Sequence, residues 1–427
     1  MKWFPPTTTR PHTAFTFECL DTLQKLMLQG KINIYDFYHT VLHKTDNANI
    51  ELTVYRYPEL QRTFRLWRNL MALKRAGLGH NPTGVNGTAS EGELGFECPA
   101  CPHPGKNLPE DWRKIEADLR YLYRLFIAVD ANCKLKGKDR SLKDVELMEG
   151  QGVFVHETRY KQFLSTYENT CESQHDAIVK ANTKATPGYS ISGKGLALCT
   201  RHLLVRTNGV GDLQKGEKYC NMDYIVLSAL KGVELEEVMI TYDIACQWSK
   251  NLSKRMNAEN FPSEFKINKN TKLIFAIPSW HINGHGKSCR ENFNIGYTNR
   301  CSKDVRRRTR SELQQASVRW LKRLIMKPCT TIGLDGISAE LSPFVRTHFS
   351  DRLKEAAVMK VRHQDIYDQL CTTFTATLVK QWSDMMKKWE SDPTSPNPFH
   401  VPETTSSLQE VRLALAKEEA MDAVSKA

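Results

Sequence analysis

The chain has 427 residues, of which 40% are apolar and 25% are charged, a balance typical of a folded globular protein with room for more than one domain. The formal net charge of +12 favours an anionic partner, above all nucleic acid. The sequence contains no apolar run of about 18 residues, and its first residues lack the apolar core of a signal peptide. These features exclude a membrane-spanning transporter and a secreted disulfide scaffold from the prediction. The 12 cysteines are expected to be thiols or metal ligands.

Residues 1–97 are predicted to form an α-helical N-terminal region. Apolar side chains recur at three- and four-residue spacing in "TAFTFECLDTLQKLMLQGKINIYDFYHTVLHKT" and again in "YPELQRTFRLWRNLMALKRAGLG", which ends at two glycines. Residues 80–97 have the composition of a loop. Residues 98–120, which begin "CPACPHPGKNLPEDW", are too rich in proline for regular secondary structure and are predicted to be a Cys/Pro-rich connector.

From residue 121 the pattern changes to strands that alternate with helices, which predicts an α/β fold. The strand candidates are "YLYRLFIAVD", "KGLALCTRHLLV", "EEVMITYD" and "KLIFAIPSW". The glycine-rich stretch "NGVGDLQKGEKYCNMDY" fits no phosphate-loop spacing and is predicted to be a sharp loop before a helix that begins near Asn221. Beyond residue 303 the chain is predicted to be helical and charged.

Two carboxylates, Asp130 and Asp243, each end an apolar strand candidate. Open α/β sheets bind ligands at the carboxyl ends of their strands, so the two could form one site. Neighbouring carboxylates repel each other unless a divalent cation lies between them, and Mg²⁺ or Mn²⁺ bound in this way supports phosphodiester chemistry. The alternative is that Asp243 only caps the helix that follows it. The residues alone leave both interpretations open.

Cysteine and histidine occur in closely spaced sets that suit tetrahedral zinc. These sets are Cys98 with Cys101, Cys171 with His175, Cys199 with His202, and His281 with His285 and Cys289. The alternative for any one set is a buried thiol beside a hydrogen-bonded histidine. Four sets in one chain favour at least one structural zinc, but the spacing does not tell which halves share an ion.

Several longer strings resemble fungal KDZ (Kyakuja–Dileera–Zisupton) transposases, and among these the cysteine-cluster-associated type. They include "VDANCKLK", "CESQHDAIVKANTK", "RHLLVRTNGVGDLQKGEKYCNMDY", "ITYDIACQWSKNL" and "SWHINGHGKSC". The resemblance covers residues 10–296 in order and resumes near residue 350. It is therefore more specific than any of the short motifs.

The resemblance implies an RNase H-like core over residues 121–296, with a zinc-type insertion at about 140–220. Such a core would cut and join DNA with three acidic residues and Mg²⁺ or Mn²⁺. Asp130 matches the first acid and Asp243 the second, while Cys171/His175 and Cys199/His202 match the zinc-binding insertion. A DNA partner and a nuclear location are also implied, and a homo-oligomer is compatible with the family.

The third acid is not identified, because the family's "D-G-E-x-x-E-R"-like segment is missing from the divergent, basic residues 297–349. Asp304 and Glu312 lie there without the right context. The arginines of that segment, which could contact phosphate or form a solvated helix face, are Arg306, Arg307, Arg308 and Arg310. Residues 350–427 are predicted to be C-terminal helices and a tail.

The sequence therefore predicts a transposase-like protein that is catalytically incomplete, with little or no strand-transfer activity. One alternative is a catalytically dead protein, derived from a transposon, that binds DNA or zinc. A second alternative is a remnant that does not fold stably, since residues 297–349 would have replaced part of the core.

Overall fold

A computed structural model of the chain describes residues 2–30, 32–48, 50, 54–80, 89–133, 135–138, 146–167, 188–214, 216–259, 261–296, 354–355, 357–392 and 394–400. The chain divides into two compact units, residues 1–357 and residues 358–427, and each is described by itself.

The N-terminal region is helical, as predicted, apart from one short antiparallel strand pair. Its elements are β1 (Trp3–Phe4), β2 (Phe15–Thr16), α1 (Phe17–Gln29), α2 (Ile34–Thr45) and α3 (Tyr57–Arg75). Thr16 and Asn33 cap α1 and α2, because their side-chain oxygens accept hydrogen bonds from backbone amides of the first turn. The apolar faces of the three helices pack together around Leu20, Leu23 and Trp67.

After residue 120 the chain forms a mixed α/β structure. The strands are β3 (Leu125–Asn132), β4 (Gly137–Lys138), β5 (Tyr189–Ile191), β6 (Gly193–Cys199), β7 (Val205–Leu213), β8 (Glu237–Thr241) and β9 (Lys272–Ala276). The helices are α4 (Glu157–Tyr167), α5 (Tyr219–Ala229), α6 (Ala245–Trp248), α7 (Leu252–Met256) and α8 (Lys287–Phe293). The predicted α/β class is therefore confirmed.

Five of these strands form one sheet in the order β7-β6-β3-β8-β9. β6 is antiparallel to both β7 and β3, whereas β3, β8 and β9 are parallel to one another. Residues 125–129 are apolar and buried without interruption, as expected of a central strand that is covered on both faces. The short strands β4 and β5 pair with each other outside this sheet.

The glycine-rich stretch from Asn208 to Gly211 lies within β7 and is not the loop that its composition predicts. Its glycines are needed for packing. A Cβ atom on Gly211 would lie 2.7 Å from the side chain of Ile225 on α5, and a Cβ on Gly195 of β6 would lie equally close. The absence of side chains lets α5 approach the β6–β7 pair. Strands β6 and β7 thus belong to the central sheet, although residues 140–220 resemble an insertion.

In the second unit, residues 358–372 are helical and α9 (Ala376–Ser391) follows. The Thr375 hydroxyl accepts a hydrogen bond from the Leu378 amide at the start of α9. Among the residues that the structure describes, no helix is both long enough and apolar enough to cross a membrane.

Candidate functional site

Strands β3 and β8 place Asp130 and Asp243 at the same level of the sheet. The parallel register pairs Ala128 with Thr241, and each aspartate follows its member of that pair by two residues. The Thr241 hydroxyl donates a hydrogen bond to the backbone carbonyl of Ile127 at 3.1 Å, which ties the two strands together at this point. The two aspartates therefore occupy equivalent positions at the carboxyl edge of neighbouring parallel strands, where α/β sheets bind ligands.

Both aspartates make the same kind of local hydrogen bond. The Oδ1 atom of Asp130 accepts a hydrogen bond from the Ala131 amide, and the Oδ1 atom of Asp243 accepts one from the Ile244 amide, each at 2.8 Å. The sequence context predicts that Asp130 ends its strand, but the structure shows that it does not. β3 continues to Asn132 because it still pairs with β6 there, and Asp130 faces Leu196 across that antiparallel pair.

A third carboxylate, Glu217, lies at the same edge, just before α5. Tyr242, which separates β8 from Asp243, donates its hydroxyl hydrogen to Glu217 Oε1. Burial, and then the charges of Asp243 and Asp130, raise the pKa of Glu217 to about 8, although the Tyr242 hydrogen bond lowers it. Mutual repulsion of this kind shows that the three carboxylates form one electrostatic group.

Sequence reasoning missed Glu217, which lies in "QKGEKY" without any motif. The available signal was its place directly before a helix that follows the third strand of the sheet. That place points to the acidic edge only when the strand order is known, because β7 and β8 lie on opposite sides of β3.

A buried ion pair fixes the chain that follows Asp243. Asp223 on α5 is fully buried and accepts hydrogen bonds from the Trp248 indole nitrogen at 2.7 Å and from the Arg255 guanidinium. Arg255 also donates to the Trp248 carbonyl oxygen at 2.9 Å. Because each buried polar group has a partner, this network holds α5, α6 and α7 in one arrangement beside the acidic edge.

Glu217→Gln should make stability less sensitive to pH. The pKa of Glu217 is raised to about 8 in the folded chain, compared with about 4.3 for an unfolded glutamate. Between these values the folded state binds the additional proton, so stability falls as pH rises through this window. The substitution should remove a loss of roughly 4 kcal/mol between about pH 5 and about pH 8. Urea unfolding without added Mg²⁺ or Mn²⁺ measures it.

Glu234→Gln is the matched control, because Glu234 is exposed and its substitution changes the formal charge equally. The control should keep the pH dependence of the native chain. If Glu217→Gln kept it as well, burial and the neighbouring carboxylates would not raise the pKa of Glu217 as described.

Four metal-ligating side chains converge where the connector meets the end of β6. They are Cys98, Cys101, Cys199 and His202, and their ligand atoms all lie within 4.8 Å of one another. The Nδ1 atom of His202 lies 3.1 Å from Cys98 Sγ and 3.2 Å from Cys199 Sγ, and the Sγ atoms of Cys101 and Cys199 are 3.1 Å apart. Three sulfurs and one imidazole nitrogen form a Cys₃His set, which suits tetrahedral zinc.

Local hydrogen bonds shape the first half of this group. The Cys101 amide donates to the Cys98 carbonyl at 3.2 Å, which closes the turn between the two thiols. The Asn107 side chain donates to the Cys101 carbonyl at 2.7 Å. The ring of His103 is not one of the four ligands, since its Nε2 atom lies 2.8 Å from the Cys98 carbonyl oxygen. The proline-rich connector is therefore an ordered knuckle.

The thiols of this group influence one another strongly. Contact with Cys199, then contact with Cys98, and then burial hold the pKa of the Cys101 thiol far above its usual range. Buried sulfurs at this distance repel each other as thiolates, and a divalent cation between them would reverse that preference. The group is thus suited to a metal such as zinc.

This arrangement differs from the one that the resemblance implies for Cys199 and His202. Their partners among the described residues are Cys98 and Cys101, because the β6–β7 hairpin carries them to the connector. Cys171 and His175 lie outside the described residues, and so do Asp304, Glu312, Arg306, Arg307, Arg308 and Arg310.

A second group consists of Cys246, His285 and Cys289, whose ligand atoms also lie within 4.8 Å of one another. Sequence reasoning placed His281 with the latter two and missed Cys246. In the structure, the ring centroid of His281 lies 5.1 Å from that of His285, but His281 is outside the ligand group. The close spacing of His285 and Cys289 identified these two candidate ligands. Cys246 was missed because it lies 39 positions away from His285 in the sequence.

The fold and these side chains define a mixed α/β protein with two Cys/His groups that could hold a metal such as zinc. Residues 123–304 match the family model of the Kyakuja-Dileera-Zisupton (KDZ) transposases, and residues 1–49 match that of the CxC2 like cysteine cluster associated with KDZ transposases. The resemblance to KDZ transposases is thereby confirmed over these residues. No curated protein and no solved structure matches the chain.

The CxC2 match covers α1 and α2, whose residues include a single cysteine, Cys19. Cys19 is half-buried against the helical core of the N-terminal region and is not part of either metal-binding group. The two groups found here belong to later parts of the chain.

Proposed function

We propose that the chain is a transposase-like nuclease that cleaves DNA phosphodiester bonds at the acidic edge formed by Asp130, Asp243 and Glu217. The observation that carries this proposal is that the two aspartates occupy equivalent positions on paired parallel strands, within the residues that match the KDZ family model. The charges of both aspartates also raise the pKa of Glu217, after the larger effect of its burial. A net charge of +12 suits a DNA partner.

An RNase H-like core is the fold that we assign to this sheet. That fold has an antiparallel three-strand meander whose first strand continues in parallel with the fourth and fifth strands. The observed order β7-β6-β3-β8-β9 supports this assignment, because β3, β6 and β7 form the meander and β8 and β9 are parallel to β3. The helix between the third and fourth strands is α5.

The residues at the acidic edge suit Mg²⁺ or Mn²⁺. All three donors are carboxylates, the ligand type that these hard cations prefer. Burial, and then the charges of Asp243 and Asp130, raise the pKa of Glu217, so a third negative charge is unfavourable there without a cation. When bound, the ions would neutralise charge on the phosphate and lower the pKa of the attacking water.

The side chains of the protein have separate tasks in this proposal. Asp130 and Asp243 hold the cation from two strands whose register is fixed, so little reorganisation is needed. Tyr242 orients Glu217 by hydrogen bonding, while the Asp223–Arg255 pair holds the segment after Asp243. The charged edge attracts metal, and the basic chain attracts the DNA backbone.

Glu217 gives the site a third carboxylate, although the acidic segment that the family carries after its His/Cys cluster has no counterpart in residues 297–349. Cleavage by water needs the phosphate and its cations to be held, whereas strand transfer also needs a second DNA molecule to be aligned. We therefore propose DNA cleavage with weak strand transfer. We also propose a nuclear location and self-association, as the family resemblance implies.

The competing function is a catalytically dead protein that binds DNA through its net positive charge. Supercoiled plasmid incubated with the full-length chain separates the two, when Mg²⁺ or Mn²⁺ is varied and binding is measured in parallel. We expect nicked circles that appear only with the divalent ion, and few joined products. Retained binding without nicking at any metal concentration would establish the competing function.

A further inference from the structure

The Cys246–His285–Cys289 group lies directly beside the acidic edge. Cys246 is in the first turn of α6, three residues after Asp243, and its sulfur lies 3.5 Å from the Nδ1 atom of His285. Cys289 is on α8, one turn after the glycine that caps that helix. Cys246 is buried, whereas His285 and Cys289 are half-buried.

The chain between β9 and α8 has little regular structure of its own. Residues 277–286 contain only one short 3₁₀ turn, Ile282–Gly284, yet Ile282 is buried at 4% exposure. The segment returns to the sheet where the Ile277 amide donates to the Phe293 carbonyl at 2.7 Å. Most of its backbone hydrogen bonds are local, such as the one from the His281 amide to the Pro278 carbonyl at 2.9 Å, so they do not join it to α6.

We infer that Cys246, His285 and Cys289 form a second zinc centre, which fastens the irregular segment before α8 to the helix that follows Asp243. Two sulfurs and one imidazole nitrogen are ligands that select zinc over magnesium or calcium. Three protein ligands leave one tetrahedral position, which is open to water or to a changed rotamer of His281. The ring of His281 already lies against that of His285.

The position of the group gives the ion a specific mechanical effect. α6 packs on β9, with the Trp248 and Phe275 rings 5.8 Å apart, and the Tyr242 amide donates to the Ala276 carbonyl at 3.1 Å. An ion at Cys246 would add a tie from this packed unit to α8. The backbone that carries Asp243 would then be fixed on both sides, by β8 before it and by the zinc centre after it.

This inference adds a metal centre beside the proposed chemistry and does not depend on DNA cleavage. The direct test counts zinc per chain by elemental analysis in full-length protein. His285→Ala and Cys289→Ser should each lose one zinc equivalent relative to the native chain, and Cys371→Ser, a thiol outside both groups, should lose none. Combining His285→Ala with Cys199→Ser should remove two equivalents, because the ions occupy separate groups.

Thiol alkylation of the native chain provides a test that needs no variant. Cys246 and Cys289 should react slowly with N-ethylmaleimide, and rapidly after a chelator removes the zinc. Backbone amides of residues 243–248 should exchange faster after His285→Ala but not after Cys371→Ser. Unchanged zinc content in folded His285→Ala, equal alkylation with and without the chelator, or a Cys246–Cys289 disulfide would each overturn the inference.

Discussion

Asp130→Asn should lower the rate of metal-dependent DNA cleavage by about a thousandfold or more, equivalent to about 4 kcal/mol of transition-state stabilisation. Asparagine has nearly the shape of aspartate but lacks the charge that holds a divalent cation. The Asp130 side chain accepts a hydrogen bond from the Ala131 amide, and an amide oxygen can accept the same bond. The folded structure should therefore survive while the metal site is lost.

Cleavage of supercoiled plasmid measures the loss of activity, and calorimetric titration with Mn²⁺ measures the loss of the metal site. Asp243→Asn should behave like Asp130→Asn, because the two residues occupy equivalent positions on paired strands. Asp111→Asn, at an exposed position in the connector, makes the same chemical change and should leave cleavage and Mn²⁺ binding unaltered. Cleavage by Asp130→Asn within tenfold of the native rate would show that this carboxylate does not hold the reactive cation.

Cys199→Ser should remove one zinc per chain and destabilise the α/β unit by several kcal/mol. Cys199 ends β6, and its sulfur lies 3.1 Å from that of Cys101 and 3.2 Å from the His202 ring. The metal group thus joins the connector to the hairpin of the central sheet. When an ion binds the folded state and not the unfolded one, its binding free energy adds to stability.

Thermal unfolding and zinc content should change together for Cys199→Ser, with a fall of more than about 10 °C in the melting temperature. Cys133→Ser is the matched control, because Cys133 is an exposed thiol of the same unit and directly follows β3. It should keep both zinc and melting temperature. A stable Cys199→Ser variant with its full zinc content would show that the Cys₃His group is only a cluster of buried thiols.

The elements that sequence patterns predicted best were those with strong local signals. Helical periodicity located α1 to α3, and the apolar runs located β3, β8 and β9. Asp130 and Asp243 were recognised because each follows an apolar run, and parallel pairing then places them level with each other. The two Cys98/Cys101 and Cys199/His202 halves were recognised from spacing, because one turn of chain holds both members of each half.

What the sequence could not provide was the association of distant segments. Cys98 and His202 are 104 positions apart, and only the β6–β7 hairpin shows that their halves meet. Glu217 and Cys246 carry no local motif, so their roles depend on which strands are neighbours. The glycines of β7 were misleading for a related reason, since they provide space for Ile225 of α5.

The parallel pairing of β3 with β8 also constrains the order in which the central sheet can assemble. The Thr241–Ile127 hydrogen bond joins residues 114 positions apart, whereas β6 and β7 are successive strands that can pair as soon as both have been synthesised. Long-range parallel pairing is slow because a large loop must close before any contact forms. During synthesis, the β6–β7 hairpin can therefore be ready before β8 leaves the ribosome. The acidic edge therefore forms after that hairpin, and a chain that ends before β8 would lack Asp243 and with it the second ligand of the proposed cation site.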